Sequence, residues 1–156
     1  MAYMKNLQAL LQNWVAKDIV YSVNDVNKGV QMSLRQRVAV SDINAGVFVL
    51  LPAIPSFGYR LIDAGAIAVG GAAGGSTTLD IVGTLTTARK LIAMAVAGLT
   101  QSAILRAGAA SSTVLADGAS FTRNDINTPI VLSVTGAALS GVTFVDVFLE
   151  YVVEHE

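Results

Sequence analysis

The residues of this chain able to do chemistry are few, and their spacing decides how far a catalytic reading can be taken. There is one histidine, His155, next to the last residue, and there is no cysteine. A histidine at the very end of a chain is expected to fray into solvent. That removes the usual base of a Ser-His-Asp or Cys-His arrangement and leaves no thiolate or imidazole set for a transition metal. What remains is carboxylates: Asp63 inside an apolar run, Asp80 inside the next, and Asp146 with Glu150 near the C-terminus. Two of these on neighbouring strands could act as an acid–base pair or hold a hard cation. The more ordinary fate of a half-buried aspartate is an ion pair, here with Arg60, Arg89, Arg106 or Arg123, and a structural role is expected for all three aspartates.

A second candidate is the glycine cluster at Gly70, Gly71, Gly74 and Gly75. It looks like a phosphate cradle but lacks the lysine and following Ser/Thr of a P-loop, and Ala72 breaks the G-x-G-x-x-G spacing. The residues after it, 76–82, are β-branched and alternating, so no helix N-terminus is available to hold an anion. A closely packed turn between strands is expected instead. Asp117-Gly118 and Asn124-Asp125 read as turn chemistry. No cofactor and no metal are expected.

The elements that must carry these residues are built from an unusually apolar composition. Of the 156 residues 53% are hydrophobic and 13% charged, with a mean hydropathy of +0.60. Ordinary soluble domains carry roughly 25% charged residues, so part of this surface is expected to be covered by partners, as in a homo-oligomer. A net charge of −1 offers no electrostatic footprint for nucleic acid. Residues 91–105 are uncharged but too short to span a bilayer and include Thr100, Gln101 and Ser102, while 126–145 is interrupted by Asn127, Pro129 and Ser133; no membrane span is expected. No signal peptide is recognisable, so export is not expected.

Residues 1–17 differ from the rest. Met4, Leu7, Leu10, Leu11, Trp14 and Val15 fall on one helical face, predicting an amphipathic arm of about three turns. A short helix does not persist in water on propensity alone, so the stripe needs a surface, its own domain or a neighbour's. We expect a neighbour, with Met4, Leu7, Leu11, Trp14 and Val15 as partner-binding residues and Trp14 as the anchor. From residue 18 to 156 the pattern is that of strands. Val30, Met32 and Leu34 alternate with Gln31, Ser33 and Arg35; Asp42, Asn44 and Gly46 mark a turn; 47–51, 59–69 and 77–82 are apolar runs. Residues 89–105 favour two short strands joined near Gly98, and 112–115, 130–134 and 142–153 complete the set, with 136–141 as a turn. The last is the clearest: Val145, Val147, Leu149, Tyr151 and Val153 share one face. About eight short strands separated by turn signals predict an all-β, jelly-roll-like sandwich.

The elements Leu50-Leu51-Pro52-Ala53-Ile54-Pro55, Gly58-Tyr59-Arg60-Leu61-Ile62-Asp63-Ala64, the stretch from Ala68 through Gly75 and Thr77-Thr78-Leu79-Asp80-Ile81 resemble the head decoration, or cement, proteins of tailed bacteriophages and related small virion proteins. The resemblance extends over about 100 residues. It implies a jelly-roll or related β-sandwich made in the host cytoplasm, sitting as a dimer or trimer on the capsid exterior and clamping the major capsid protein or other virion subunits. A head-tail or tail-associated adaptor and a small carbohydrate-binding β-sandwich are the alternatives. The second is disfavoured by an aromatic content of 6%. An enzyme is not expected.

Overall fold

The structure is a computed structural model that describes residues 31–46, 48–83, 90–101, 103–106, 112–113 and 122–155. The amphipathic stretch 4–15, Arg89 and Asp117-Gly118 lie outside the described residues. Among the described residues nine strands follow one another: β1 (Met32–Ala39), β2 (Phe48–Leu51), β3 (Phe57–Val69), β4 (Gly74–Val82), β5 (Lys90–Ala95), β6 (Leu105–Arg106), β7 (Ser112–Thr113), β8 (Ile130–Ser140) and β9 (Phe144–His155). They form two antiparallel sheets, β1-β9-β3-β6 and β2-β8-β4-β5-β7.

The pairing is nested. β1 pairs with β9, β2 with β8, β3 with β6 and β4 with β5, as in a long antiparallel ribbon folded at the β4–β5 connection. Rolling that ribbon brings β9 beside β3 in one sheet and β8 beside β4 in the other. This is the jelly roll expected from the strand count and turn spacing. Alternation along each strand supplies the core between the sheets: Val145, Val147 and Leu149 of β9 and Leu61, Ala64 and Ala66 of β3 face Leu79, Ile81, Met94 and Leu132, all at most 2% exposed. Burying each large aliphatic side chain contributes about 1.5–3 kcal/mol, which in a cysteine-free chain must hold the fold. No helix among the described residues is long and apolar enough to cross a membrane.

Three local features differ from the expectations. Between β1 and β2 the chain makes a one-turn helix, α1 (Val40–Asn44), rather than a plain turn. Its Val40 and Ile43, three apart, both point into the core, and Asn44 braces the corner, donating from Nδ2 to the Leu139 carbonyl (2.9 Å) and accepting the Leu139 N–H (2.8 Å). One turn is too short to leave a periodic signal. Residues 136–141 do not end β8; the strand runs on to Ser140, with Gly136 at φ +96° opposite Ser76 where β4 carries an extra residue, Thr77, between two successive pairs. The actual reversal is at Gly141, packed so closely on the Ala72 carbonyl that a Cβ would not fit. The glycine cluster 70–75 is thereby the close-packed turn it was read to be. Third, His155 does not fray: it ends β9 opposite Phe57, the two rings edge to face at 4.9 Å.

In residues 89–105 the first expected strand is β5; the chain then makes a 3-10 turn at Val96–Gly98, and the second strand does not follow it directly but begins only at Leu105, as β6.

Candidate functional site

The outward face of the β1-β9-β3-β6 sheet carries most of the chemistry-bearing side chains of the described residues. Register fixes them in rows across the strands: Arg37, Asp146 and Ile67; then Arg35, Phe148, Gly65 and Arg106; then Ser33, Glu150 and Asp63; then Val152 and Arg60. The odd-numbered residues of β1 and even-numbered residues of β9 share this face because antiparallel neighbours opposite one another point the same way.

Most of these charges are engaged within the sheet. Arg37 grips Asp146 through two nitrogens (2.6 and 2.7 Å), and Arg60 grips Glu154 likewise (2.6 and 3.0 Å). The hydrogen bonds from Arg37 hold the Asp146 carboxyl below its ordinary range, and those to Glu154 raise Arg60. The register does set two carboxylates side by side, Asp63 and Glu150. Both Asp63 oxygens are nevertheless taken, one by the Arg106 guanidinium and one by the Ala64 N–H (2.9 Å), and Glu150 accepts from Gln31 Nε2 (2.8 Å). Arg106 also sits over the Phe148 ring, 5.0 Å from its centroid.

Asp80 is on the other sheet, 1% exposed, its Oδ2 3.0 Å from Lys90 Nζ and accepting from Thr135 Oγ1 at 2.6 Å. Of the expected arginine partners that lie among the described residues, Arg60, Arg106 and Arg123, Arg106 alone takes one of the three aspartates; Asp146 found Arg37 and Asp80 found a lysine, because register rather than proximity in sequence chose them. Among the described residues no three of His, Asp and Glu converge as a metal set would require.

Among these rows lies a groove of about 590 Å³, walled by Arg35, Arg37, Ile67, Ile104, Arg106 and Phe148 among others. Ile62, Ile104 and Phe144 are large apolar side chains left 44%, 48% and 36% exposed on or beside this face. Apolar side chains set among charge pairs suit a protein surface that docks, since the pairs keep the free face soluble while the isoleucines supply area to bury.

One important residue was read only as turn chemistry. Asn124 is 2% exposed and ties residues 122–128 to β3: its Oδ1 accepts the Tyr59 N–H (2.6 Å), its Nδ2 donates to the Thr128 carbonyl (2.9 Å), and its own N–H donates to the Tyr59 carbonyl (2.9 Å). The Asn-Asp dipeptide signals a turn in any context, and nothing local marks this one as buried. Tyr59 itself is buried, donating its hydroxyl to the Pro52 carbonyl (2.5 Å), and burial together with neighbouring Tyr151 pushes its pKa up to about 12.

No family model matches the chain, and no curated protein matches it. Two solved structures are similar. One is a chain in the acidic stable capsid of Helicobacter pylori bacteriophage KHP30, with a TM-score of 0.50 and 17% identity, covering 80% of this chain and 88% of that one. The other is in the capsid of Ralstonia phage GP4, with a TM-score of 0.49 and 14% identity over 80% of this chain and 84% of that one. At such identities the first likeness speaks to the fold.

Proposed function

We propose that this protein is a non-enzymatic structural subunit of a phage virion that binds the outside of the capsid shell and stabilises it, a decoration or cement protein. The observation that carries the reading is the jelly roll shared along most of both chains with a protein of the KHP30 capsid. The composition supports it, because a surface this poor in charge calls for partners. So does the site: the carboxylates that could have formed a catalytic pair are each engaged by a cation, an amide or a hydroxyl. The docking elements in this reading are the face around Ile62, Ile104 and Phe148 and the arm residues Met4, Leu7, Leu11, Trp14 and Val15. The partner is the major capsid protein, with further contacts between copies of this chain.

The test is to mix the purified protein with capsids of its phage lacking it, then to follow co-sedimentation, heat release of the genome and imaging of the particles. Saturable binding at repeated positions on the shell, with a raised release temperature, is expected. Density confined to the tail vertex would instead favour the adaptor, and no binding to intact or undecorated particles would end the virion reading.

A further inference from the structure

The outward face of the β1-β9-β3-β6 sheet closes most of its charges but not all. Arg37 takes Asp146, Arg60 takes Glu154 and Arg106 takes Asp63. One cation and one anion are left over. Among the described residues Arg35, which is exposed, makes no ion pair, and Glu150 meets no cation, accepting instead from the Gln31 amide at 2.8 Å. The two are diagonal neighbours across β1 and β9. Arg35 stands opposite Phe148, and Glu150 lies two residues further along β9, opposite Ser33. Both line the groove on this face, whose apolar wall is Ile67, Phe148 and the half-exposed Ile104.

Leftover charges of opposite sign on one face are what a two-fold contact between identical faces needs, since the group at each position must suit the group at the other. Other occupants fit less well. An acidic peptide would satisfy Arg35 but press against Glu150, and a basic one would have the converse fault. A nucleic acid finds no attraction, because every other guanidinium on the face already holds a carboxylate and the face has no net charge to draw a polyanion.

We propose that this face packs on the same face of a second copy about a two-fold axis, Arg35 of each copy reaching into the other's groove to Glu150, with Ile67, Ile104 and Phe148 buried between them. The contact presupposes the assembly proposed above, in which copies of this chain touch, and gives that touching a surface and a symmetry. The two kinds of side chain divide the work. Ile67, Ile104 and Phe148 supply apolar area to bury, while the crossed ion pairs fix the register, because any other register sets like charges opposite one another or leaves both groups unpaired.

The test uses the full-length protein. Sedimentation velocity and native mass spectrometry at micromolar concentration should show a dimer. Arg35→Glu and Glu150→Arg should each raise its dissociation constant by about ten-fold or more, since each substitution sets two like-charged pairs at the contact. Mixing the two single variants should bring the dimer back, now as a heterodimer, because each altered position then meets the other altered one and each native position a native one. A pair formed within one chain would be lost in both variants and could not return on mixing. A monomeric unaltered protein, variants that dimerise as well as it does, or a mixture no better than its components would each overturn the proposal. Co-sedimentation with capsids lacking the protein separates this contact from the virion reading. A monomer that still binds the shell overturns the contact alone, whereas a dimer that binds no shell supports the contact and overturns the virion reading.

Discussion

The Phe148 ring packs against the backbone of Gly65, its cross-strand neighbour, so closely that a Cβ on Gly65 would collide with the ring, while the Arg106 guanidinium caps that ring from the next strand. The glycine is there for its missing side chain: it opens a slot in the middle of a sheet face, and the aromatic ring fills it.

Gly65→Ala should therefore force the ring out of its slot. Overpacking of this kind costs about 1–3 kcal/mol. In a domain of this size that lowers Tm by several degrees. Thermal and urea unfolding measure it, and Phe148→Leu in the alanine background should recover part of the loss. An unchanged Tm for Gly65→Ala would show that the ring moves aside at no cost.

Asn124→Ala should strand the buried Thr128 carbonyl and weaken the tie between residues 122–128 and β3, at about 1–3 kcal/mol. Asn124→Asp should not rescue it, since a carboxylate sets an oxygen against the Thr128 carbonyl where the amide donated. Local hydrogen exchange around Tyr59, together with global stability, distinguishes loop loosening from unfolding.

Lys90→Met leaves Asp80 buried without its cation. The cost should be at least the ~1–3 kcal/mol of a stranded buried acceptor. Adding Asp80→Asn should recover much of it, because a neutral amide needs no counter-charge. A double substitution as unstable as the single one would mean that Lys90 acts through its hydrogen bonds to Thr78 and Thr135 rather than through its charge on Asp80.

Two groups set opposite pH limits. Asp146 is held below its ordinary range by Arg37, so the pair stabilises the fold above the unfolded carboxyl pKa of about 4 and loses that contribution as pH falls through the lower folded value. Arg37→Gln should move the acid unfolding midpoint to higher pH. Tyr59 is pushed up to about 12, which favours its neutral form, so its contribution is intact below the unfolded value of about 10 and drains away as pH rises towards 12. Ultraviolet titration should show Tyr59 ionising late, together with alkaline unfolding, and Tyr59→Phe should remove that late step.

If the arm docks on the shell as proposed, Trp14→Ala should weaken capsid binding while leaving the sandwich intact. Truncating a buried aromatic anchor typically costs 2 kcal/mol or more, roughly thirty-fold in affinity. Deletion of residues 1–16 should do the same with an unchanged β-sheet circular dichroism. A deletion protein that melts or aggregates would place the arm in its own core instead.

The amino-acid sequence determined what is local. Strict alternation from Val145 to Val153 announced a half-buried strand, and that strand lies at the centre of the first sheet between β1 and β3. Glycines at 70–75 announced a turn, and the lack of cysteine and of an internal histidine limited the chemistry before any fold was known. Tertiary structure decided what depends on register. Asp146 took Arg37, 109 residues away in the chain, and the glycine at 136 stayed inside β8, opposite Ser76 of β4, instead of ending the strand. Asn124 became a buried tie because Tyr59 offered it an N–H. Periodicity is a property of a few successive residues and survives in the linear pattern. Pairing partners are chosen by how the whole ribbon rolls, and no short stretch of sequence carries that information.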